Sequence, residues 1–70
     1  MIPGKALVEA SRDYVDACEA LDKAQEYYDL NWRFLDNGPR ATVLAALATA
    51  HFAKVSAGAI LLLAAHEATS

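Results

Sequence analysis

Large apolar residues return every seven positions through the first half of the chain: Leu7, Tyr14, Leu21, Tyr28 and Leu35. Three residues after the first three of these stand Ala10, Ala17 and Ala24. A seven-residue apolar repeat keeps one helix face turned toward a partner helix along its whole length. Alanine at every second position of that stripe lets the partner come close, because its side chain is short. Glu9, Arg12, Asp16, Glu19, Lys23 and Glu26 fill the opposite side, with Glu19 and Lys23 at helical neighbour spacing. No proline and no glycine past Gly4 interrupts the stretch. The pattern predicts one helix over about 4–36.

Asp36-Asn37-Gly38-Pro39 breaks it. Asn37 or Gly38 suits the left-handed residue that ends a helix, and Pro39 suits the first position of the next. A turn at 37–39 this short folds the second helix, about 39–67, back antiparallel on the first. Each helix then holds roughly 30 residues and runs about 45 Å. The expected fold is all-α: a single domain over 1–70 built as a long antiparallel helical hairpin.

The second helix is patterned differently. On a helical wheel Leu44, Ala45, Ala48, Phe52, Val55 and Leu62 crowd one side, and Ala46, Ala50, Ala53, Ala57 and Ala64 form a second, alanine strip. Val43, Leu47 and Leu61 take a third sector beside Lys54, and Thr42, Thr49, Ser56 and Glu67 make a thin polar edge. A helix apolar nearly all round is normally covered on more than one side, and one partner helix cannot do that. The expectation is self-association into a four-helix bundle or larger helical oligomer. Its interface is assigned to the alanine strip with Leu61: Ala46, Ala50, Ala53, Ala57, Leu61 and Ala64. Which face meets the first helix is left open by the pattern.

Lipid is the alternative cover. Residues 41–65 are long enough to span a bilayer, but His51 and Lys54 lie near the centre, and the longest stretch free of ionisable residues is only 55–65. A central lysine costs roughly 2.5–3.5 kcal/mol on insertion scales, which alanine does little to offset. The membrane-associated reading is therefore kept but not favoured.

Composition narrows the function. Six Lys and Arg stand against nine Asp and Glu, a net charge of −3, and the cations are scattered. A nucleic-acid partner needs a basic stripe and is not expected. Cys18 is the only cysteine and falls on the apolar side of the first helix, where it reads as a small buried hydrophobe in a reducing compartment. The first residues lead straight into an amphipathic pattern rather than a signal peptide, so a cytoplasmic location is expected. Small size and alanine richness fit an accessory or phage-type regulator.

Candidate chemistry is sparse. His51 and Lys54 lie one turn apart, and in the expected register face Asp22 and Gln25. Together these four form either a polar layer that fixes register or a pocket for a small anionic ligand at a subunit seam. His66 should lie near Val8 and Glu9, within reach of the Glu9 carboxylate. The acids Glu9, Asp13, Asp16, Glu19, Asp22, Glu26 and Asp29 spread over the whole polar half of the first helix and read as a solvated face. Bundle metal sites need Glu-x-x-His or Glu-x-x-Glu pairs on several helices, so no metal is expected. Tyr27, Leu30, Arg33 and Phe34 make a compact patch outside the apolar stripe, of the residue types that anchor protein interfaces. They are the candidate partner-binding surface, whereas Tyr14, Tyr28 and Trp32 are read as core. No catalytic constellation is found and no cofactor is expected. The chain reads as a non-enzymatic protein whose partners are itself and another protein.

Overall fold

The computed structural model describes residues 3–69; Met1, Ile2 and Ser70, at the ends of the expected domain, lie outside the described residues. It is an all-α hairpin. Helix α1 spans Pro3–Asn31 and helix α2 spans Asn37–Thr69. A single 3-10 turn, Trp32–Phe34, continues α1 to the bend. The molecule is a rod of 51 × 14 × 14 Å.

The heptad stripe of α1 faces α2 throughout. Ala10 and Leu21 are buried, and Leu7, Tyr14, Ala17, Ala24, Tyr28 and Leu35 are half-buried. Ser11 and Cys18 flank this stripe, also half-buried, and Cys18 is a free thiol. On α2 the inward row runs Val43, Leu47, Ala50, Lys54, Ala57, Leu61, Ala64 and Ala68. That is the same three-and-four spacing, with large and small residues alternating from Leu47 to Ala64, so each helix sets alanines where the other approaches.

The bend differs from the expected one. The chain reverses at Leu35 and Asp36, and α2 already begins at Asn37, two residues before Pro39. No residue takes a positive φ among those described. The reversal uses a tightened 3-10 turn and an extended Leu35 (φ −93°, ψ 125°) in place of a left-handed Asn37 or Gly38. Pro39 fits the first turn of α2 because N–H groups there have no partner within the helix. The Arg40 amide N–H donates to the Asp36 carbonyl at 2.8 Å, closing that turn.

The core is thin. Among the described residues only Ala10, Leu21, Leu47 and Ala64 fall between 5% and 8% exposed. None of the described side chains is fully buried.

Candidate functional site

Three regions carry the candidate residues. The first is a groove along one flank of the hairpin, about 730 Å³ in volume, whose lining includes Tyr14, His51, Lys54, Val55, Gly58 and Leu62. Gly58 lies directly under the Tyr14 ring: a Cβ there would stand 3.3 Å from Tyr14 Cε1. Lys54 occupies the inward row between Leu47 and Leu61, seven residues from each, and is half-buried. His51 is exposed one turn earlier on the same flank.

Asp22 and Gln25, the expected partners of this pair, are both exposed, and Gln25 Nε2 donates to Asp29 Oδ1 at 2.9 Å, four residues along its own helix. The bend explains this. With the reversal at Leu35 and Asp36 and with Gly58 under Tyr14, one turn along each helix brings Lys54 level with about Cys18, short of Asp22. Among the described residues Lys54 has neither an ion pair nor a hydrogen bond.

The second region is the turn end. Phe34 is 83% exposed, and Tyr27 and Leu30 are exposed beside it. Arg33 is drawn elsewhere: its guanidinium carbon lies 5.4 Å from the centre of the Trp32 ring. Trp32 is not core. It is exposed because α1 ends at Asn31 and the 3-10 turn rotates the following residues out of the stripe. Arg40 lies over the same ring at 6.0 Å, and its Nη2 donates to the carbonyls of Trp32 at 3.0 Å and Leu35 at 3.1 Å. A cation on the last carbonyls of a helix satisfies orphan acceptors and opposes the negative end of the dipole. Sequence reasoning counted Arg40 only among scattered cations. Its place one turn into the second helix, just after a tight reversal, was the available signal.

The chain matches no family model, no curated protein and no solved structure.

The third region is the back of α2. Of the six residues assigned to an oligomer interface, Ala50, Ala57, Leu61 and Ala64 are turned into the seam with α1, and only Ala46 and Ala53 are exposed. The correction follows from the inward row: Leu47, Lys54 and Leu61 need small neighbours at the crossing, and these alanines supply them. What α1 leaves open is the other side, where Phe52, Val55 and Leu62 are each between 72% and 74% exposed and Leu44 and Leu63 are exposed with them. Thr42 and Thr49 on the polar edge donate their hydroxyls to the carbonyls of Gly38 at 3.2 Å and Ala45 at 3.0 Å. Their polarity is thus spent on their own backbone.

Near the open end a smaller groove is lined by Glu9, Ala10, Asp13, Ala64 and Glu67. Glu67 rather than His66 thus shares a wall with Glu9, and His66 is exposed. Among the described residues no three His, Cys, Asp or Glu side chains stand together as a metal site.

Proposed function

We propose that this chain is a small, non-enzymatic, self-associating helical adaptor. Copies pair through the outward face of α2, leave the acidic first helices on the outside, and bind another protein through the patch at the turn end. The observation that carries the reading is the uncovered apolar side of α2, with Leu44, Phe52, Val55, Leu62 and Leu63 all exposed.

Area supports a second copy as the cover. The accessible surface is 5286 Å² for a mass of 7.5 kDa. A compact monomer of that mass exposes roughly 4,250 Å². The excess of roughly 1,000 Å² is comparable with the ~800 Å² that each partner buries in a standard interface. Isolated monomers rarely leave so large an apolar strip in water. The Thr42 and Thr49 hydroxyls, bonded to their own helix, lower the cost of covering the edge of that face.

The partner-binding half of the reading rests on Tyr27, Leu30 and Phe34, aromatic and aliphatic anchors exposed at the tip, while Arg33 lies over Trp32. A protein partner also suits the net charge of −3 better than a nucleic acid does.

Sedimentation velocity on the pair of substitutions Phe52→Lys and Leu62→Lys tests the face. Both side chains are already exposed, so helicity by circular dichroism should be kept while the double variant sediments as a single chain. A double variant that sediments like the wild type would remove α2's outer face from the interface.

A second reading has its own support: α2 is long and apolar enough to cross a membrane, and only 6% of its most apolar stretch is buried within the chain. Half-buried Lys54 near its middle and the charge on α1 oppose it. Recovery of the chain in the membrane fraction of lysed cells, released only by detergent, would favour this reading; recovery in the soluble fraction favours the adaptor.

A further inference from the structure

We propose that the flank groove between α1 and α2 binds an anionic amphiphile, a medium-chain carboxylate, with its head on Lys54 and its tail along Val55, Gly58 and Leu62. The groove is lined by one chain, but Val55 and Leu62 also belong to the face proposed to pair, so a second copy and the amphiphile compete for them and dodecanoate is expected to shift the assembly toward single chains.

Shape comes first. Gly58 contributes no side chain, and the Tyr14 ring lies against its backbone, so the groove has an aromatic wall and a bare floor. The adjoining residues are aliphatic, and the volume of about 730 Å³ is of the size that holds a drug-sized ligand. An aliphatic chain laid there would cover Val55 and Leu62, both of which water now reaches.

Charge comes second. Lys54 sits half-buried in the apolar row that joins the helices, and among the described residues it has no ion pair and no hydrogen-bond acceptor. Among the described residues no carboxylate lines the groove. The Lys54 stem is what the row holds, its charged head has no partner opposite it, and a carboxylate there would add a charge-assisted hydrogen bond. His51 and the Tyr14 hydroxyl, on the same lining, are further hydrogen-bonding groups for the second carboxylate oxygen. The occupant thus carries one negative head and an apolar tail. A free inorganic anion would leave the aliphatic wall wet, and a neutral lipid would leave Lys54 unpaired.

Isothermal titration calorimetry with dodecanoate below its micelle concentration tests this, with the assembly state followed by sedimentation in the same buffer. Saturable binding at one dodecanoate per chain is expected. Dodecanol should bind at least tenfold more weakly, the scale of one lost charge-assisted hydrogen bond, and acetate should not bind measurably. Lys54→Met, which keeps the stem and removes the charge, should lose at least tenfold in affinity with its helicity retained, and Lys54→Arg should restore binding. Equal affinity for dodecanol, undiminished binding by Lys54→Met, or no saturable heat would each overturn the proposal. So would a Lys54→Met chain that changes its assembly state and shows no difference in dodecanoate binding, because Lys54 would then serve the contact between copies.

Discussion

At the residue scale, Arg40 does more than any other single polar side chain to hold the bend. Its Nη2 reaches two carbonyls at the end of the first arm, and its guanidinium lies over Trp32. Nε, buried beside them, finds no acceptor among the described residues, so the arrangement is not free of cost. Arg40→Ala removes both carbonyl contacts and should destabilise the hairpin by about 2 kcal/mol, read as a lower denaturation midpoint at fixed protein concentration. Arg40→Lys should recover only part, because a lysine cannot both stack on the ring and present a planar fork. Gly58 makes the opposite case. Alanine there gains about 1 kcal/mol of helix propensity, while its Cβ presses the Tyr14 ring at 3.3 Å. Tyr14 is half-buried at the groove edge, and its ring need give by only a few tenths of an ångström. Gly58→Ala should therefore raise the melting temperature slightly; a fall would mean that the ring is held in place.

At the element scale, stability concentrates in the few residues where the two inward rows interlock. Leu21→Ala or Leu47→Ala opens a cavity at a buried position and should cost about 2–4 kcal/mol. Phe52→Ala, at an exposed position, should leave the unfolding of an isolated hairpin within about 0.5 kcal/mol of wild type. Urea titrations of the three variants, run at a concentration where the chain sediments singly, check the contrast. The same asymmetry explains what could be read in advance. The heptad of α1 was plain because charge marks its outer side, so Leu7, Tyr14, Leu21 and Tyr28 admit only one inward face. The heptad of α2 was hidden. Three apolar sectors competed, and the row that meets α1 carries Lys54 at its centre, where a charge argues against burial. The bend was misplaced by two residues because Asn37, Gly38 and Pro39 are good turn residues that are also tolerated in a helix's first turn. That displacement moved Lys54 away from Asp22, so the expected polar layer did not assemble. Trp32 left the core for a related reason: the seven-residue count assumes an α-helix, and the 3-10 turn that ends α1 changes the rotation per residue.

At the scale of the whole molecule, the rod has two unlike sides. The outer side of α1 carries the acids, whereas the outer side of α2 is aliphatic and aromatic. Four buried side chains among the described residues are a small core, and one core of this size rarely supplies more than roughly 3–5 kcal/mol. Pairing through α2 would stabilise the fold by mass action as well as cover the strip, so the melting temperature should rise with protein concentration. A melting temperature independent of concentration over two decades would mean that assembly contributes nothing to folding. Sedimentation equilibrium of the unaltered chain in detergent-free buffer, across a wide range of concentrations, reaches the central point most directly. The account predicts a mass of two or more chains that falls toward one on dilution. A freely soluble species of 7.5 kDa at every concentration would contradict it.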